Sequence, residues 1–466
     1  MDTNEPATPI RRSYRLVALI VACALFMEQM DATVLTTALP TMAQDLAVSV
    51  TRLSSALTGY LLALALFIPA SGRLADRFGA RDLFRVAIVL FTLGSLLCAQ
   101  APNLPFLVVA RFLQGVGGAM MIPVGRLILI RSVAKEDMVA ATASLILPAL
   151  AGAVLGPPIG GLIVMHLDWR WIFYLNLPIG LLGIVLTTLF ITETHEPRPF
   201  QLDVVGFLIA GAAISCLLFG FEMASQPGRA LASVAVIIAG LAIGAVYLRH
   251  ARRCEDPVLD LSLLTYRSFR LSVIGGSLTR ITQGAQPFLL PMMFQLGFGM
   301  PAATSGLLMI AGAIGALLTR WAAPVAFKRF GFRNSMIFNG LAGSLGYAVC
   351  GLFRPAWPMP LIVATLLVSG SFMSLQFTAY NLVAYEEIPP ERMSAATSFY
   401  ATLQQLMLSM GVCAGAFALQ TAMTFTGRTV PSLIEFTVAL TVVTTISGVA
   451  IVWNRRFAHN AGAAFH

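Results

Sequence analysis

The chain is built from apolar stretches too long to be anything but membrane-spanning helices. A hydrocarbon core of ~30 Å takes about 20 helical residues at 1.5 Å each. Fourteen such stretches can be drawn: 16–39, 53–72, 83–100, 104–130, 138–165, 171–191, 204–222, 230–248, 271–294, 302–322, 335–353, 358–383, 394–423 and 432–453. Lipid offers no hydrogen bonds, so backbone groups must be satisfied within each segment, and runs of this length exclude barrel strands. Composition agrees: 58% of residues are hydrophobic, 11% are charged, and the mean hydropathy is +0.82. Soluble domains carry about 25% charged residues. The expected class is an all-α polytopic membrane protein with 14 transmembrane helices.

The formal charge of +9 reads as topology and not as nucleic-acid binding. With the N-terminus inside, 23 of the 30 Lys and Arg residues fall in cytoplasmic segments, five in outer ones, and Arg111 and Arg280 within spans. That bias places both termini in the cytoplasm. The tryptophans 169, 171, 321, 357 and 453 all fall at span ends, as an interfacial belt requires. The six cysteines are scattered without a Cys-x-x-Cys pair, and read as small buried hydrophobes. The histidines are assigned to loops or the tail. No metal and no cofactor are expected.

Four charges inside spans are then the informative residues. Glu28 and Asp31 share one face of the first helix, roughly 18 and 22 Å along it. Arg111 lies in the fourth span and Arg280 in the ninth, roughly 14 Å in. Charges at such depth are costly, face a cavity or a partner, and mark function. The residues leave open which acid pairs with which arginine.

An internal repeat divides the chain. Arg77-Phe78-Gly79-Ala80-Arg81 recurs as Arg329-Phe330-Gly331-Phe332-Arg333, each after a span. This gives a tail (1–15), a six-helix half (16–192), a two-helix insert (203–249), an amphipathic linker expected along the inner membrane surface (250–270), and a second six-helix half (271–454). Spans 1 and 9 correspond and should face each other across a midplane cavity. Arg280, Gln283, Gln286, Gln376, Asn381, Gln404 and Gln405 are its expected polar lining.

Gly72-Arg73-Leu74-Ala75-Asp76-Arg77-Phe78-Gly79-Ala80-Arg81 resembles the loop signature after span 2 of the major facilitator superfamily. The resemblance implies that Gly72, Asp76, Arg77, Gly79 and Arg81 form an inner gate, with Asp76 held near Ser394 at a helix N-terminus. Arg111-Phe112-Leu113-Gln114-Gly115 resembles a second signature, whose arginine is linked to proton transfer. Gly152, Gly156, Pro157, Gly160 and Gly161 make a smooth, bent helix face. They resemble the signature of the drug:proton antiporter branch. Trp169–Pro178 and Asp31–Pro40 match further family patterns, the latter that of the fourteen-span drug:proton antiporters.

The resemblance implies a major facilitator fold arranged 6 + 2 + 6, each half made of inverted three-helix repeats. It also implies proton-coupled efflux of amphipathic drugs across the bacterial inner membrane, driven by the proton motive force. Asp31, Glu28 and Arg111 would couple protons. A monomer in contact with membrane lipids is expected, with a periplasmic adaptor left open. An exporter of a metabolite, siderophore or sugar is the alternative. A non-transporting receptor is the remote one, and no nucleophile–base or metal spacing suggests an enzyme.

Overall fold

The structure, a computed structural model, describes residues 14–132, 138–192, 203–224, 226, 228–254 and 257–458. These residues form fifteen α-helices and no strand. The first half contains α1 (Tyr14–Asp45), α2 (Ser54–Phe78), α3 (Ala80–Ala99), α4 (Leu104–Ser132), α5 (Met138–His166), the single turn α6 (Trp171–Tyr174) and α7 (Asn176–Phe190). The insert is α8 (Val204–Ala224) and α9 (Ala230–Ala251). The second half contains α10 (Arg267–Met292), α11 (Ala302–Phe330), α12 (Phe332–Cys350), α13 (Met359–Val383), α14 (Met393–Thr426) and α15 (Leu433–Asn454).

Every stretch drawn from the sequence falls on one of these helices, with the sixth divided between α6 and α7. Twelve helical segments of the described chain are long and apolar enough to cross a membrane. The two others from the sequence reading are α10 and α12. They have the length, 26 and 19 residues, but α10 carries Arg267, Arg270 and Arg280, and α12 carries Arg333, Asn334 and Asn339. The repeat has a structural counterpart. Gly79 (φ 88°) joins α2 to α3 and Gly331 (φ 72°) joins α11 to α12. A side chain is strained at such φ, which is why the glycine recurs in both copies.

The linker packs against the second half. The helix preceding it ends at Ala251 and the one after it starts at Arg267. Between them Leu259, Leu261 and Leu264 pack with buried Leu263 against Phe269, Ile388 and Phe399. Its leucines therefore pack into a groove of the second half. Polar contacts hold it there. Arg392 donates to Asp260 Oδ2 at 2.5 Å and to the Ser262 hydroxyl.

The halves meet along two helix pairs, α5 with α11 and α2 with α14. The first is close enough that a Cβ on Gly306 would stand 2.2 Å from the Pro157 carbonyl oxygen. At the end away from the Gly79 and Gly331 turns, the halves share one apolar cluster. It joins Val34, Leu39 and Met42 to Phe288, Met292 and Phe294. There Thr51 donates to Gln420 at 2.9 Å and Gln295 to the Thr37 carbonyl at 3.0 Å. Towards the glycine turns the apolar clusters stay within single halves. The bundle is sealed at one end and divided at the other. The insert packs on the α2–α14 seam, where Leu62, Ile214 and Leu218 meet Leu406 and Met410.

Candidate functional site

Asp31 resolves the pairing question. It is fully buried, and so is Arg111, whose NH1 donates to Asp31 Oδ2 at 2.5 Å. Asp31 Oδ1 accepts from Gln114 Nε2 and from Asn176 Nδ2, each at 2.9 Å. Those two amides also reach the Ser95 hydroxyl, at 2.7 and 3.2 Å. Arg111 NH1 also donates to Gln114 Oε1 at 2.7 Å. The carboxylate thus holds one charged and two neutral donors, a full set for a buried acid.

Local structure aims these groups inward. Arg111 and Gln114 are three residues apart on α4, so they share a face. Asn176 is the first residue of α7, directly after Leu175, whose backbone stays helical (φ −55°, ψ −31°). The arginine is less well served than the acid. Its Cζ lies 4.4 Å from the Tyr60 ring centroid and 5.9 Å from that of Phe173. Its Nε and NH2 are buried without a hydrogen-bond partner. A buried guanidinium using one of three nitrogens depends almost wholly on Asp31 for its charge compensation.

Glu28 stands one turn away on the same face. It is buried, 3.4 Å from the Tyr60 hydroxyl and 3.0 Å from the Gln29 amide. Tyr60 therefore touches Glu28 with its hydroxyl and Arg111 with its ring. All of these groups belong to the first half. Although the spans that carry Asp31 and Arg280 correspond under the repeat, Asp31 turns into its own half, where Arg111, Gln114 and Asn176 converge on it.

Arg280 is 6% exposed and stacks on Phe377, with its Cζ 4.4 Å from the ring centroid. Gln283, Gln286, Asn381, Gln404 and Gln405 are partly exposed, and Gln404 donates to Asn381 at 3.0 Å. Gln376 does not join them. It is fully buried, with Nε2 3.6 Å from where a Cβ on Gly340 would stand. Its place is within the second half, between α12 and α13.

The glycine motif packs α5 on α1. Cβ atoms at Gly152, Gly156 and Gly160 would stand 2.5 Å from Phe26 O, 2.0 Å from Thr33 Oγ1 and 2.3 Å from Val34 O. At Gly161 the neighbour is Ala302 O, at 2.4 Å, in the other half. Pro157 lies inside this helix, and its carbonyl accepts from Thr37 Oγ1 at 3.2 Å. The motif thus sets the spacing of the helix that carries Asp31 and also touches the seam.

At the divided end Asp76 accepts from Arg131 NH2 at 2.8 Å. Both are in the first half, so Asp76 does not engage the start of α14 in this conformation. Arg81 and Arg85 both approach Asp82, at 3.2 Å.

Sequence reasoning missed Ser95 and Glu222, and it did not count Gln114 and Asn176 as site residues although it quoted them within motifs. By sequence Glu222 falls at the end of the span 204–222. It is buried and accepts from Ser54 on α2 at 3.1 Å, with Cys413 Sγ on α14 at 3.7 Å. A carboxylate five residues before Pro227-Gly228 signals nothing by itself; only the packing of the insert on the seam buries it. Asp203, His250 and Cys254 come together at the base of the insert. Asp203 there accepts from the Gly206 amide at 2.7 Å and contacts His250 Nε2 at 2.8 Å, which is the work of a helix cap.

Comparison with known proteins decides the family. The family model described as Major Facilitator Superfamily matches residues 21–412. The chain belongs to that superfamily. It is a multi-pass membrane transporter. A relative from Cronobacter sakazakii, provisionally named multidrug resistance protein MdtD, is 36% identical over 412 residues, 87% of this chain and 86% of that protein. The like-named protein of Escherichia coli O6:H1 is 35% identical over 409 residues, with the same coverage. Among solved structures, a POT family transporter in complex with 5-aminolevulinic acid superposes with a TM-score of 0.70 at 16% identity, covering 95% of each chain. A D-xylose-proton symporter gives 0.68 at 15% identity, over 96% of this chain and 98% of that one. At these identities the structures speak for the fold alone, and that fold is the facilitator bundle expected from the sequence.

Proposed function

We propose that the protein exports amphipathic compounds across the bacterial cytoplasmic membrane in exchange for protons. In this reading it has fourteen spans arranged 6 + 2 + 6 and both termini in the cytoplasm. The divided end, which carries the basic turns, is cytoplasmic, and the conformation is inward-facing. The resemblance to drug:proton antiporter signatures and the names of the MdtD relatives support the cargo class.

The observation that carries the coupling is the Asp31–Arg111 pair. Its carboxylate is fully buried, and its arginine has two vacant donors. Protonation of Asp31 removes the one anion that Arg111 NH1 touches. A guanidinium cannot neutralise itself, so it must find another acceptor or water. Tyr60 and Glu28 lie on that route. The rearrangement moves α4 against α1, and the glycine contacts of α5 pass the motion to α11 across the seam. Asp76 would change partner from Arg131 to the start of α14 as the cytoplasmic end closes. One proton moving through 100 mV supplies ~2.3 kcal/mol, enough for a roughly 50-fold gradient. No cofactor enters the scheme, and a monomer suffices for it.

The test is Asp31→Asn in everted membrane vesicles. Proton-driven efflux of dyes and drugs should be lost while the protein remains in the membrane. Retained proton-driven efflux would exclude Asp31 as the coupling group.

A further inference from the structure

The interior charges are unevenly matched. Arg111 is neutralised by Asp31. The electrostatic neighbours of Arg280 are the phenols Tyr400 and Tyr385, and neither is a carboxylate. Its guanidinium stacks on Phe377, itself 36% exposed. Nε and NH2 of Arg111 are buried without partners, and Arg280 lies against the Tyr400 phenol with 6% of its surface exposed. Around it the wall is neutral amide: Gln283, Gln286, Gln404 and Gln405, all partly exposed.

The acids of the first half do not offset this cation in the observed conformation. Asp31 is consumed by Arg111, and Glu28 is 4% exposed beneath the Tyr60 hydroxyl and the Gln29 amide. The charge presented to a ligand is positive. Stacking engages the face of a guanidinium and not its N–H edges, and those edges match the two oxygens of a carboxylate or sulfonate better than a neutral phenol does.

We propose that the transported compounds are amphiphiles carrying a carboxylate or sulfonate on an apolar frame, and that Arg280 receives that group. Lipophilic cations are disfavoured, because they would meet Arg280 at close range in a site with little water to screen it. This rests on the efflux reading and adds the charge of the cargo.

The experiment uses fluorescein and rhodamine 123, which share a xanthene frame and differ in sign of charge near neutral pH. Binding to the purified full chain in nanodiscs is read by fluorescence anisotropy, with thermal stability as the folding control. Fluorescein should bind about tenfold or more tightly than rhodamine 123, the size expected for a hydrogen-bonded charge contact. Arg280→Gln should abolish that preference, and Arg280→Lys, which keeps the charge without the fork, should retain part of it. Equal or tighter binding of rhodamine 123 overturns the proposal. So does an unchanged ratio in Arg280→Gln, the result expected if Arg280 serves only as a counter-ion to Glu28 in another conformation. Rhodamine 123 bound and exported in preference would remove this inference and leave the efflux reading standing. Neither dye bound and neither exported would remove both.

Discussion

Neutralising either member of the buried pair should have unequal consequences, because only one of them can discharge itself. In Asp31→Asn the new carbonyl can keep the Gln114 and Asn176 amides, now 2.9 Å from Oδ1. The new NH2 then stands where Oδ2 meets Arg111 NH1 at 2.5 Å, donor against donor. Arg111, with Nε and NH2 already unpartnered, is left as an uncompensated buried cation. Removing one partner of such a pair costs about 3–5 kcal/mol. In Arg111→Gln the acid keeps two donors and can take up a proton, so about 1–3 kcal/mol is expected. The double variant Asp31→Asn/Arg111→Gln buries no net charge. It should be more stable than Asp31→Asn alone, against the sum of the two single losses. If a half of this length unfolds as a unit, Asp31→Asn should lower Tm by roughly 6–20 °C. The assay is thermal unfolding in nanodiscs at a fixed scan rate, since unfolding of such a chain need not be reversible. A double variant no more stable than Asp31→Asn, or an Asp31→Asn protein within about 2 °C of wild type, would refute the reasoning.

Two further expectations concern the frame around the site. Gly156→Val would force a branched side chain against Thr33, where a Cβ alone stands 2.0 Å from Oγ1. It should separate α1 from α5, lower Tm by several degrees and lose efflux, whereas Gly72→Ala, with open space at its Cβ in this conformation, should leave Tm unchanged. The second concerns Asp260. Burial pushes its carboxyl up, but the Ser262 hydroxyl, Arg392 and the Ser262 amide outweigh this and hold it below the usual range. A depressed acid stabilises above its unfolded pKa and loses that contribution as pH falls through the folded value. Hydrogen exchange of segment 257–266 should therefore speed up selectively below about pH 4. In Asp260→Asn it should already be fast at neutral pH, and a segment equally protected in both proteins would contradict the assignment.

The residues announced the fold because lipid leaves so few options. Apolar run length located the helices, and the Arg-Phe-Gly repeat located the halves, since a reversal between helices demands Gly79 and Gly331 at positive φ. The buried site was half legible. Depth alone flagged Asp31, Glu28, Arg111 and Arg280, but depth does not say which face of a helix turns inward. The partner of Asp31 depends on α4 and α7 converging on it, and so do the roles of Gln114 and Asn176. Ser95 carries no sequence signal, because a serine in an apolar helix ordinarily bonds its own backbone. Gln376 misled for a related reason: a glutamine in a span reads as cavity lining, yet here it is buried between two helices of one half.

The most direct test of proton-coupled export through Asp31 is proton flux in proteoliposomes holding the purified chain and a pH-sensitive dye. With wild-type protein, adding a transported amphiphile should release protons in proportion to its movement, and an imposed pH gradient should drive its accumulation until an ionophore collapses the gradient. Asp31→Asn should bind the amphiphile and move no protons with it. Substrate-linked proton flux surviving in Asp31→Asn, or wild-type transport indifferent to the gradient, would contradict the account.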